Sequence, residues 1–245
     1  MSTAALPEET VPALSEGQRL LYSFTAPSQT MADLRRNTSW WVPWLLISIF
    51  SIGFTYTLDK KIGWAQVMET QIQNNPKAAE QMEKMPAEQR EKMMNIQVTS
   101  ARWISYATPL TMLLALAVIA GVLLGVFNFG FGAKLTFRQL MAVSAYSLLP
   151  GILNSVLIMI VMFSVQPDTF DIGNPVATNI GFFVPASMTF LKKMMGAFDL
   201  FTIWQIALMA IGVSQLSKVK KGAAFSAIFG LFLLIKLVGA AVSAF

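Results

Sequence analysis

The sequence predicts an all-α polytopic membrane protein: a bundle of five transmembrane helices with an extramembrane helical insert after the first. Three observations predict it. The 245-residue chain is 55% hydrophobic and only 13% charged, where an ordinary soluble domain carries about 25% charged residues. Its mean hydropathy is +0.57. Its apolar residues are gathered in blocks of roughly 20, the length a helix needs to cross the hydrocarbon core.

The same composition excludes several chemistries. With no histidine and no cysteine, imidazole acid–base catalysis, thiol chemistry, disulfides, and zinc, haem or iron–sulfur sites built on those ligands are ruled out. No phosphate-binding loop, nucleophile elbow, metalloprotease helix or dinucleotide fingerprint is present. The fifteen methionines read as adaptable apolar packing, not as a soft-metal site, and no cofactor is expected. The net charge of +5 reads as cations flanking membrane helices, not as a nucleic-acid surface.

Taken in order, residues 1–17 are polar and acidic, with Glu8, Glu9, Glu16, Pro7 and Pro12. They lack the basic start and apolar run of a secretory signal and read as a poorly ordered tail. Residues 18–39 form an amphipathic segment in which Leu20, Leu21, Phe24, Met31 and Leu34 alternate with polar residues. Pro27 breaks it, and Ser28 is a candidate N-cap for a short helix ending at Arg35 and Arg36. Two readings stand: a segment lying on the headgroups with the basic pair facing anionic lipid, and an ordinary juxtamembrane linker.

The first span, 40–58, opens with Trp40, Trp41 and Trp44, an interfacial aromatic belt, and carries Pro43 in its first turn. The insert, 59–102, is rich in Glu, Lys, Gln and Met, with Pro76 and Pro86 placed to start helices at N1, and predicts a helical hairpin or bent helix. The remaining spans are expected at about 106–129, 140–165, 197–216 and 224–245. In the second, Gly121 and Gly125 form a G-x-x-x-G that permits close helix approach. In the third, Pro150 kinks the helix and frees a carbonyl near Tyr146. Residues 179–191 are apolar but too short to span, fitting an interfacial or re-entrant piece; if they cross, the count becomes six.

Lys134 and Arg138 lie in one short loop and Lys218, Lys220 and Lys221 in another, with no acid in either. The positive-inside rule then places both loops and the N-terminus in the cytoplasm, with the insert outside. The location expected is the plasma membrane, or the inner membrane of a bacterium. Polar groups at membrane depth are the candidate site, because a charge in hydrocarbon is costly and needs a cavity or partner. They are Lys236, Asp199, Gln205, Asn154 and Tyr146. Counting along the last two spans puts Gln205 nearly level with Lys236, and Asp199 roughly 9 Å farther out, a gap that a snorkelling lysine side chain nearly closes. The pair would either fix helix packing or form an ion- or substrate-coupling site.

Phe198, Asp199, Phe201 and Trp204 make an F-D-x-F-x-I-W pattern, followed by a basic turn. Tyr146 and Pro150 make a Y-x-x-x-P, and Phe24 and Pro27 an F-x-x-P ahead of the first span. These motifs resemble the Yip1-domain family, and the long insert is similar to its prokaryotic branch. The resemblance implies five spans and a cytosolic N-terminus, and it brings no catalytic residues. Eukaryotic members are implicated in vesicle trafficking and bind small GTPases. The function expected is therefore a non-enzymatic membrane scaffold, adaptor or membrane-organising protein. Its partners would be the bilayer and, by this analogy alone, other membrane proteins or a small GTPase; a homo-oligomer stays open. The alternative is a small transporter or channel using the polar groups of spans three to five.

Overall fold

A computed structural model describes residues 13–185 and 188–242. Twelve α-helices run along them: α1 (Glu16–Thr25), α2 (Pro27–Asp33), α3 (Trp41–Lys61), α4 (Trp64–Gln73), α5 (Pro76–Glu83), α6 (Ala87–Tyr106), α7 (Thr108–Phe131), α8 (Phe137–Ser147), α9 (Pro150–Ser164), α10 (Thr189–Gly196), α11 (Leu200–Leu216) and α12 (Lys221–Val242). Among the described residues there is no strand, only an isolated bridge between Asn179 and Asp199.

Among the described residues four stretches are long and apolar enough to cross a membrane: Trp41–Lys61, Thr108–Phe131, Phe137–Ser164 and Lys221–Gly239. The third is α8 and α9 together. They part where expected, because Pro150 has no N–H to donate to Tyr146 and starts α9 instead. The carbonyl of Tyr146 accepts from Leu149 N–H at 3.3 Å, which tightens the joint. The expected fourth span is α11, which is apolar but only 17 residues long. At 1.5 Å per residue it covers about 25 Å, against a core of about 30 Å.

Phe127, Leu123, Ala120 and Leu116 of α7 pack with Leu140, Met141 and Ala145 of α8, Met209, Ala210 and Val213 of α11, and Ala224 and Ile228 of α12. One end of this bundle gathers the turn between α7 and α8 and the turn between α11 and α12. Gly132, at φ +64°, ends α7 in the left-handed conformation that glycine tolerates best. The Asn128 side-chain amide then holds the backbone of Leu135, donating from Nδ2 to its carbonyl at 2.9 Å and accepting its N–H on Oδ1 at 3.0 Å. At the other end, Leu58 and Ile62 of α3 and Met162 of α9 pack with Trp64 and Val67 of α4 and with Phe170.

Several expected details differ. Residues 59–102, expected as a helical hairpin or bent helix, carry the end of α3, all of α4 and α5 and most of α6, with α4 packed on both α5 and α6; Pro76 sits at N1 of α5, but Pro86 is the N-cap of α6. Gly121 and Gly125 have nothing within 4 Å of where a Cβ would stand, so this pair brings no helix of the same chain close. In the amphipathic segment Pro27 occupies N1 of α2, where its missing N–H is harmless, which leaves Ser28 inside the helix and Ala26 as N-cap. The tail reading covers 1–17; residues 1–12 lie outside the described residues, while Ser15 caps α1 and Glu16 and Gly17 open it.

Candidate functional site

The most connected polar cluster is built by α1 and α2 on the flank of α8. Ser15 starts α1 with a capping box: its Oγ accepts from Gln18 N–H, and Gln18 Oε1 accepts from Ser15 N–H at 2.9 Å. One turn later comes Arg19, 1% exposed. Its Nε donates to Asp33 Oδ2 at 2.7 Å, its Nη2 lies 2.6 Å from the same oxygen, and its Nη1 lies 3.2 Å from Glu16 Oε1. Tyr146 of α8, fully buried, donates its hydroxyl to Glu16 Oε2 at 2.9 Å. The buried hydroxyls of Ser23 and Thr30 both donate to the Arg19 carbonyl, at 2.8 and 3.0 Å, which joins α1 to α2.

The arrangement holds its charge. Burial works against an ionised guanidinium, but hydrogen bonding to Asp33 and Tyr146 and the charges of Asp33 and Glu16 outweigh it, so Arg19 titrates above its ordinary value. A group raised in this way keeps its stabilising contribution at every pH below its unfolded value, which covers the whole working range. The cluster contains no exposed nucleophile and no acid–base pair facing a cavity; its geometry is that of a clamp.

Apolar contacts complete the docking. Met31 and Leu34 are fully buried with Val143 and Leu208. Phe24 meets Trp204 edge-on, with centroids 5.9 Å apart. Gly212 of α11 makes the room: a Cβ there would stand 2.5 Å from Val143 Cγ1 and 3.1 Å from Met31 Sδ. The basic pair is engaged with protein as well. Arg35 donates from Nε to the Gln215 carbonyl at 2.7 Å, serving one of the open carbonyls at the end of α11. Arg36 pairs with Asp33 Oδ1 at 2.7 Å. The apolar face of the segment thus lies on the bundle.

The intramembrane candidates come together only in part. Asp199 is the N-cap of α11, accepting from Phe201 and Thr202 N–H at 3.0 and 3.1 Å and from Thr178 Oγ1 at 2.5 Å. Gln205 Nε2 sits 3.1 Å from the Cβ position of Gly151. Asn154 is half-buried on α9. Lys236 is exposed on α12, with Nζ 5.5 Å from the Phe232 ring centroid. Among the described residues no ion pair joins Lys236 to Asp199: the carboxylate is spent on capping. Tyr146 alone belongs to the clamp. A groove between α4, α5 and α6, lined by Glu69, Glu83, Arg90 and Glu91, lies apart from all of these.

Arg19, Glu16 and Asp33 are what sequence reasoning missed. Two signals were there: Ser15-x-x-Gln18 is a capping-box spacing, and Arg19 is the only cation before Arg35.

Apolar helices of crossing length, with a helical pair docked along α8 and α11, define a polytopic α-helical membrane protein. Residues 21–243 match the Yip1 domain, and the chain belongs to that family. No curated protein and no solved structure matches. The family resemblance read from the motifs holds. Its residues have local duties here: Trp204 receives Phe24, Asp199 caps α11, and Pro150 opens α9.

Proposed function

We propose that this chain is a non-enzymatic membrane scaffold, with α11 as a fifth crossing and the α1–α2 pair as its working surface. The observation that carries this reading is the clamp: a buried arginine, two carboxylates and a tyrosine tie the α1–α2 pair together and to α8, while apolar contacts and Arg35 seat it on α11. A fixed surface of that kind suits display to other membrane proteins, which we propose as partners beside the bilayer. The basic turns favour a cytoplasmic N-terminus in a plasma or bacterial inner membrane.

Deleting residues 18–36 should abolish the cellular role while the bundle still inserts; an intact phenotype in the deletion would refute the scaffold. Because the chain has no cysteine, the fifth crossing can be tested by single substitutions. Lys218→Cys and Gln166→Cys should react with an impermeant thiol reagent from opposite sides of the membrane. Reaction from one side would remove α11 as a crossing. The transporter reading gains nothing, since Asp199, Gln205 and Lys236 serve three separate local environments.

A further inference from the structure

The segment between Thr178 and Asp199 leaves the bundle and returns to it with its ends pinned. Thr178 donates its hydroxyl to Asp199 Oδ2 at 2.5 Å, Leu200 N–H donates to the Thr178 carbonyl at 3.0 Å, and Asn179 bridges Asp199. Inside lie a 3₁₀ turn, Ile180–Phe183, and α10. The turn is pressed onto α10 at Gly181, where a Cβ would stand 2.5 Å from the Lys192 carbonyl and 2.6 Å from Gly196 N. The closure therefore requires glycine.

Three features identify what covers this loop. First, it turns apolar side chains outward: Phe183 is 76% exposed, and Ile180, Phe182, Met188, Phe190, Leu191 and Leu200 are exposed with it. Second, it serves several of its own backbone groups: Phe182 N–H goes to Asn179 Oδ1 at 3.0 Å, Val184 N–H to Gly181, Met188 N–H to Pro185 and Lys192 N–H to Met188. That is what a non-helical segment needs at membrane depth. Third, between Ile172 and Phe198 the only charged residues are Lys192 and Lys193, a sign suited to anionic headgroups. The surface is also continuous with lipid-facing helix: α10 packs on α12, whose Leu234, Ile235 and Leu237 are exposed, and Phe198 meets Phe229 at 6.2 Å. The loop leads directly into the N-terminus of the short α11, which falls several ångströms short of a full core.

We propose that residues 178–199 are a lipid-seated anchor. The loop sits in the headgroup–acyl boundary of the leaflet at the N-terminal end of α11, with Phe182, Phe183 and Phe190 among the acyl chains and Lys192 at the level of the lipid phosphates. It completes the thickness that α11 does not cover. The proposal rests on α11 crossing the bilayer, which the Lys218→Cys and Gln166→Cys labelling tests separately.

The experiment is a nitroxide on Phe183→Cys in the full chain, reconstituted in phosphatidylcholine–phosphatidylglycerol vesicles, with collision rates measured against oxygen and a water-soluble nickel chelate. Leu234→Cys serves as lipid reference and Glu88→Cys on α6 as water reference. The expected result is oxygen access exceeding nickel access, as at Leu234. Nickel access equal to that at Glu88 would overturn the proposal, and so would low access to both reagents, which would mean a protein cover. Gly181→Ala should then shift the Phe183 probe toward water while the Leu234 probe stays unchanged. An unmoved Phe183 probe would overturn the pinned geometry.

Discussion

The α1–α2 pair and the 178–199 loop start from similar material: a short helix of seven or eight residues, its companion segment, and large apolar side chains among polar ones. Their fates are opposite. The pair buries Met31 and Leu34 completely, whereas the loop leaves Phe183 and Phe190 exposed. A glycine decides each case. Gly212 opens a hollow on α11 that Met31 and Val143 fill, so the pair finds a partner in the bundle. Gly181 opens a hollow that the backbone of α10 itself fills, so the loop closes on itself and its apolar residues face away. Amphipathic character alone does not decide whether a segment docks or faces lipid; the availability of a complementary surface does.

The difference can be broken most strongly at Arg19. Arg19→Met leaves Asp33 with only the exposed Arg36 and Glu16 with no cation; losing one partner of a buried ion pair costs about 3–5 kcal/mol. Thermal unfolding in detergent should show that loss, with new protease cleavage between α1 and α3. A loss under about 1 kcal/mol would show instead that the pair behaves as a surface bridge.

Gly212→Ala should cost about 1–3 kcal/mol by overpacking, because Val143 Cγ1 stands 2.5 Å from the new methyl group. The same unfolding assay reads it, and Val143→Ala in the same chain should recover part of the loss. On the loop side, Asp199→Ala removes the α11 cap and the pin to Thr178, for about 0.5–2 kcal/mol. Its mark should be faster amide exchange at Phe201 and Thr202 with α1 unchanged. Smallest of all is Phe183→Ser, expected within about 0.5 kcal/mol in detergent, since the ring touches little protein. A large destabilisation there would place Phe183 in a core and erase the contrast.

Much of the architecture was legible in residue order. Blocks of apolar residues mark helices because a chain in lipid must satisfy its backbone within each segment, and α3, α7 and α12 fall near the expected positions. Pro150 marks the α8–α9 joint because proline lacks the N–H that would continue the helix. The F-D-x-F-x-I-W and Y-x-x-x-P motifs marked the family. The clamp was far less legible. Glu16 and Tyr146 are 130 residues apart, and nothing local to either encodes that meeting. The expected pairing of Lys236 with Asp199 used helix length alone, which could not register that the cap of α11 would claim the carboxylate.

The sequence by itself determined the class: composition and the lengths of its apolar blocks make this a polytopic helical membrane protein, and spaced motifs make it a Yip1-domain one. Tertiary structure alone decided which amphipathic segment docks and which faces outward, and which polar groups meet. The reason is physical. Burial of a charge such as Arg19 is tolerated only where partners converge on it, and only the packed arrangement of α1, α2 and α8 brings Glu16, Asp33 and Tyr146 together around it.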